Sequence, residues 1–100
     1  MNYYVYILYS QSLNSFYRGQ TADVDRRLRE HNNKKEMSTK HGAPWMLLWV
    51  AEKQSRSEAI KLEAKLKNLS KNRLMKFMLK YQEQCSSPDA LLFIKQWSGC

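Results

Sequence analysis

Two seven-residue runs, YYVYILY at residues 3–9 and WMLLWVA at residues 45–51, contain no charged side chain. Each is too short for an ordinary core helix, and aromatic and β-branched residues suit a pleated, buried surface. The first reads as a strand buried on both faces and the second as another short apolar strand. Strands of this kind stay soluble only when other elements are packed over them.

The segments between and after these runs supply that cover. Residues 10–15 (SQSLNS) are turn formers, and residues 16–20 (FYRGQ) read as a second short strand, so a hairpin is expected. Thr21 or Asp23 can cap a helix running to about Asn32, with Val24, Leu28 and His31 on one side. Residues 32–44 are polar and close on Gly42-Ala43-Pro44, which reads as a loop. Ser55-Arg56-Ser57-Glu58 has the form of a capping box ahead of a helix through Ala59, Leu62, Leu66 and Leu69. Ser70 is placed to cap a further helix over 71–83 that buries Leu74, Phe77, Met78 and Tyr81. Ser86-Ser87-Pro88 breaks it, and the apolar segment 89–97 follows as a docked helix or a mobile extension. The order β-β-α-β-α-α predicts one small α/β (α+β) domain with a three-stranded, mostly antiparallel sheet flanked by helices. The body spans 1–83, with 84–100 as an extension.

Charge says more about partners than about fold. The 100 residues carry a net +8. From Lys53 to Lys80 there are nine Lys/Arg against Glu58 and Glu63, a net of +7. Residues 82–100 have Glu83, Asp89 and Lys95, a net of −1. Positive charge concentrated in the body points to a polyanion, nucleic acid first and an anionic membrane surface second. The two cysteines, Cys85 and Cys100, have no neighbouring Cys or His at metal-ligand spacing. A disulfide-free body fits a reducing cytoplasm. The N-terminus lacks a signal-peptide pattern, and no stretch approaches the ~18 apolar residues of a membrane span.

Four kinds of side chain stand out chemically. At ~100° per residue, Ala59, Leu62, Leu66 and Leu69 form one arc of their helix, extended by Ile60 and Ala64, and Glu63 falls inside it. A carboxylate turned toward the core side needs a cation, so Glu63 is either a metal ligand or an ion-pair partner. Arg27 shares a helix side with Val24 and His31, whereas Arg26 and Arg29 do not. Its guanidinium suits a phosphate oxygen or a carboxylate, or else lies along the apolar side. Tyr6 and Tyr17 are ordinary strand aromatics singly, but adjacent hairpin strands can bring both phenols near Arg27.

In this order the residues resemble the GIY-YIG endonuclease superfamily, and most closely its small stand-alone bacterial members, similar to the N-terminal nuclease domain of the bacterial excinuclease. Tyr4-Val5-Tyr6 stands for Gly-Ile-Tyr and Tyr17-Arg18-Gly19 for Tyr-Ile-Gly. Residues 21–32 look like the first helix, with Arg27 at the catalytic arginine, and residues 57–67 like the helix carrying the metal-binding glutamate, Glu63. The likeness spans about residues 2–82. Tyr4 and Arg18 depart from the motif. Of the family's downstream asparagine, only Asn68 and Asn72 are near, without the matching spacing.

The resemblance implies hydrolysis of a phosphodiester, in DNA above all, with one weakly held Mg²⁺ or Mn²⁺ on Glu63. It makes Arg27 the stabiliser of transition-state charge, and Tyr6, helped by Tyr17 or His31, the group that orients or deprotonates the attacking water. A free phenol titrates near ~10, so either a cation lowers Tyr6 or a metal-activated water serves as the base. Arg18, Lys34, Lys35, Lys40, Lys67, Lys71 and Arg73 are the expected phosphate contacts. Repair or recombination of damaged or branched DNA is the process this implies. Two other classes compete: a non-catalytic nucleic-acid-binding module, and an adaptor that docks a protein partner through 89–97. The oligomeric state is not encoded legibly.

Overall fold

The computed structural model describes residues 2–34, 37 and 39–98, with the side chains of Trp97 and Ser98 excepted. Lys35 and Cys100 fall outside the described residues. The first apolar run becomes β1, Tyr3–Ser10, the middle strand of a three-stranded sheet. It pairs antiparallel with β2, Ser15–Thr21, on one side and with β3, Trp45–Lys53, on the other. The remaining elements are α1 (Val24–Asn32), a 3-10 turn (Lys40–Gly42), α2 (Arg56–Lys67), α3 (Lys71–Lys80), a second 3-10 turn (Gln82–Gln84) and α4 (Pro88–Ser98). Among the described residues this is a wholly antiparallel three-stranded sheet with four helices, the architecture expected.

Because side chains alternate along a strand, β1 feeds two cores. Val5, Ile7 and Tyr9 face the larger one, where they meet Trp49 of β3, Ala59 and Leu66 of α2, Leu74, Met75 and Met78 of α3, and Ala90 and Ile94 of α4. Tyr6 and Leu8 face the smaller one, with Trp45, Tyr17, Leu28, Leu47 and Val50. Burial on both faces is why the run has no polar interruption. The register against β3 shifts by one residue between Ile7 and Leu8. That bulge lets Leu48 and Trp49 both be buried, at 0% and 2% exposed.

The helix starts follow their capping residues. Asp23 accepts the Arg26 amide at 3.1 Å, Ser55 accepts that of Glu58 at 3.2 Å, and Ser70 that of Arg73 at 3.3 Å. Two expectations are corrected, on α3 and on α2. The helix expected over 71–83 stops at Lys80, where the Trp49 indole takes the Tyr81 carbonyl at 3.0 Å and a 3-10 turn begins. On α2, Ile60 is 45% exposed and Ala64 is exposed, so the buried arc is narrower than the apolar lettering implied. Residues 88–98 form a docked helix, with Phe93 against Tyr9 at 4.9 Å between ring centroids. Ahead of that helix, Ser86 hooks onto β3: its amide donates to the Leu48 carbonyl at 2.9 Å and its hydroxyl to that of Leu47 at 2.6 Å.

Candidate active site

The smaller core opens into a cluster of chemically active side chains, and Gly19 is the reason they fit. Tyr6 pairs with Gly19 across the β1–β2 ladder. A Cβ on Gly19 would lie 2.6 Å from Tyr6 Oη, 2.7 Å from its Cζ and 2.9 Å from Tyr17 Cε1. The absent side chain therefore makes the bed on which the Tyr6 ring lies. The Tyr6 and Tyr17 rings sit 6.1 Å apart, and Tyr17 is 4.8 Å from the His31 ring.

His31 comes from the last turn of α1 and is fully buried. Its Nε2 is 3.0 Å from Tyr6 Oη and its Nδ1 is 2.8 Å from Thr39 Oγ1. Arg27 lies one turn earlier on the same helix side, as its spacing required, while Arg26 and Arg29 are exposed. It pairs with Glu30 at 2.8 Å, and its guanidinium acts on the Tyr6 phenol. Tyr6 is 1% exposed, so burial is the largest influence on it and pushes its pKa up to about 12. The charge on Tyr17 pushes the same way, as does Glu63 more weakly, whereas the bond and charge of Arg27 pull it down without winning. The expected lowering by Arg27 is therefore real in sign but overruled by desolvation. At pH 7 a phenolate here lies roughly 7 kcal/mol above the phenol, from about five pH units at 1.36 kcal/mol each.

Glu63 projects from α2, its side chain 20% exposed and 3.7 Å from Lys67 Nζ, and its charge is felt weakly at the Tyr6 phenol. The ion pair is loose and half in water, so it holds the carboxylate weakly. No group of three or more His, Cys, Asp or Glu that could cage a metal occurs among the described residues. One weakly held carboxylate still fits a hard divalent cation that keeps most of its waters and takes further oxygens from a phosphate. Arg27, 23% exposed, and Glu63 are accessible, whereas Tyr6 and His31 are buried. A concavity of about 610 Å³ is lined elsewhere by Tyr9, Trp45, Met46 and Phe93, among others.

The expected phosphate contacts divide into two kinds. Lys34, Lys67 and Arg73 are exposed, and Lys40 is half-buried. Lys71 donates to the Asn14 carbonyl at 2.6 Å, tying α3 to the hairpin tip. Arg18 points to the other side of the sheet and donates to the Leu69 carbonyl at 3.0 Å. Its Nε has no hydrogen-bond partner among the described residues, and desolvation lowers its pKa. Arg18 is therefore a strap between β2 and the α2–α3 junction. Sequence reasoning passed over Thr39, Trp45 and Asn32. The Trp45 indole donates to the Thr39 carbonyl at 2.7 Å, and the Asn32 side chain bonds both the amide and the carbonyl of Trp45. Short polar residues in a basic loop carry no periodic signal that would have exposed this network.

The model of the GIY-YIG catalytic domain family matches residues 2–78. UPF0213 protein BH0048 of Halalkalibacterium halodurans is 38% identical over 74 residues, covering 73% of this chain and 78% of the relative. The solution NMR structure of the UPF0213 protein BH0048 from Bacillus halodurans superimposes with a TM-score of 0.52 at 34% identity. That match covers 90% of this chain and 92% of the other.

Proposed function

This chain belongs to the GIY-YIG family, and on that premise we propose that it is a divalent-metal-dependent endonuclease that hydrolyses phosphodiester bonds in DNA. The observation that carries the reading is the buried Tyr6 phenol, 3.0 Å from His31 Nε2 and under the electrostatic influence of Arg27 and, more weakly, Glu63.

Arg27 meets a phosphate by exchanging Glu30 for a phosphate oxygen, one anion for another. Aimed at the same centre, its guanidinium then stabilises the charge that grows on phosphorus oxygens as the nucleophile adds. Tyr6 takes the proton of the attacking water as its own proton passes to His31 Nε2, so no free phenolate is needed. The new P–O bond forms as the opposite one breaks, the leaving oxygen takes a proton from solvent, and the proton on His31 returns through Tyr6 to solvent. When bound at Glu63, Mg²⁺ or Mn²⁺ supplies neutralisation of charge on the phosphate and the leaving oxygen. The net +7 of residues 53–80 supports a nucleic-acid substrate. We infer structure-dependent or weakly selective cutting, as in repair or recombination, as the use of this site.

A second reading, a nucleic-acid-binding module without catalysis, is favoured by the net +7 of residues 53–80 and by Asn68 and Asn72 lying off the family's spacing. One assay separates the two: cleavage of duplex, branched and single-stranded DNA with Mg²⁺ or Mn²⁺, beside Glu63→Ala. We expect metal-dependent nicks that Glu63→Ala abolishes with its melting temperature unchanged. Binding without cleavage under any divalent metal rejects the enzyme reading, and undiminished cleavage by the variant rejects Glu63.

A further inference from the structure

Beneath the cluster lies a buried hydroxyl to which the family resemblance assigns no role. Thr39 is 1% exposed, and its Oγ1 contacts His31 Nδ1 on the side of the ring opposite Tyr6. Its position is fixed twice over: its carbonyl accepts the Trp45 indole, and Trp45 is gripped by Asn32, the residue after His31 on α1. Trp45 is in turn 6% exposed, with its ring 6.2 Å from Tyr17.

The hydrogen positions follow from the relay. Both ring nitrogens of His31 face hydroxyls, which serve as donor or acceptor. A Tyr6 phenol that passes its proton to the ring needs an acceptor there, and His31 Nε2 lies 3.0 Å away. Nε2 must then carry a lone pair, so the ring proton of neutral His31 sits on Nδ1 and points at Thr39 Oγ1.

We propose that Thr39 is a positioning residue, which holds His31 in the Nδ1–H tautomer and so keeps Nε2 open to receive the Tyr6 proton. The proposal rests on the reading of Tyr6 and His31 as the proton acceptors of a nuclease. Orienting partners on the far nitrogen of metal-bound histidines govern affinity or activity by about 10–100-fold, and we take the same magnitude for His31. Without Oγ1 the Nδ1 proton loses its acceptor, and the ring gains by moving that proton to Nε2, where it donates to the phenol. Tyr6 then has no base.

The experiment compares the full chain with Thr39→Val and Thr39→Ser. Long-range ¹H–¹⁵N spectra show which ring nitrogen of His31 is protonated, and steady-state cleavage of a DNA duplex with Mg²⁺ gives kcat and KM. The wild type should be protonated on Nδ1. Thr39→Val should move the proton to Nε2 and lower kcat about 10–100-fold with KM unchanged, and Thr39→Ser should restore both. Protonation on Nε2 in the wild type overturns the proposal, as does a Thr39→Val protein with the wild-type tautomer and rate. Should Thr39→Val fail to fold, the wild type and Thr39→Ser decide the matter, since a serine protein protonated on Nε2 also overturns it. The spectra need no turnover, so a protein that never cuts DNA would sink the nuclease reading and leave the tautomer assignment standing or falling on its own.

Discussion

Gly19→Ala is the most economical test of how the site is built. The added Cβ meets Tyr6 Oη at 2.6 Å, whereas ordinary contact begins at 3.4 Å, so the ring has to yield by about 0.8 Å. It cannot swing freely, because Tyr6 is 1% exposed and the Tyr17 ring is also struck, at 2.9 Å. A displacement of that size toward the open side stretches the 3.0 Å bond to His31 beyond about 3.6 Å, where it is no longer a hydrogen bond. Overpacking costs about 1–3 kcal/mol. The loss of glycine freedom in the unfolded chain offsets about 0.4–1 kcal/mol of this. A net cost near 1–2 kcal/mol lowers the melting temperature by roughly 5–15 °C in a domain of this size. Misplacing a reacting group by about 1 Å costs roughly 100-fold in rate. Thermal unfolding followed by circular dichroism, and initial nicking rates well below the transition, measure both. In a Tyr6→Ala background the same substitution should cost much less. A Gly19→Ala protein that melts and cuts like the wild type would show that the rings have room, and that Gly19 is not the bed for Tyr6.

Folding raises Tyr6 from 10.0 to about 12, so its stabilising contribution is complete below pH 10 and is lost as pH rises toward 12. Urea unfolding at pH 9 and 11 should therefore show the wild type losing about 1.3 kcal/mol more than Tyr6→Phe; equal losses would contradict the burial-driven shift. Arg18→Ala should lower the denaturant midpoint by about 1–2 kcal/mol in stability, through loss of the strap to Leu69, and Arg18→Lys should not recover it. Wild-type stability in Arg18→Ala would leave this residue to the substrate. Neutralising Lys34, Lys40, Lys67 and Arg73 together should flatten the slope of log affinity against log salt by about 3–4 on duplex DNA. An unchanged slope would move the phosphate track to another face.

The strands and the main helices were legible because their signals are periodic and local. YYVYILY could only be a strand covered on both faces, and the caps at Asp23, Ser55 and Ser70 stand where hydroxyl and carboxylate side chains precede apolar repeats. What could not be read depends on contacts between distant residues. Thr39 lies in a stretch of lysines and short polar residues, yet the Trp45 indole pulls its carbonyl inward and buries it. His31 looked like an ordinary helix-face histidine, and it is fully buried because two hydroxyls from separate elements satisfy both ring nitrogens. Arg18 reads as one more basic residue beside a motif; only the packing of the α2–α3 junction against β2 turns it inward. The upward shift of the Tyr6 pKa was hidden for a related reason. A neighbouring cation can be inferred from spacing, but the depth of burial that outweighs it comes from the assembled fold.

The Ser86 hook has a consequence for solubility. β3 is a border strand of the sheet, rich in tryptophan and leucine, and Ser86 and the Trp49–Cys85 bridge occupy part of its free edge. An apolar border strand with open carbonyls is a template for edge-to-edge aggregation. Cutting the chain before Cys85 would uncover that template and remove Ala90 and Ile94 from the larger core. A tail-deletion protein that stops binding a partner would thus be expected to stop folding cleanly as well. A docking role for the last helix is better probed by single substitutions at its outward residues, such as Leu92, which is 54% exposed.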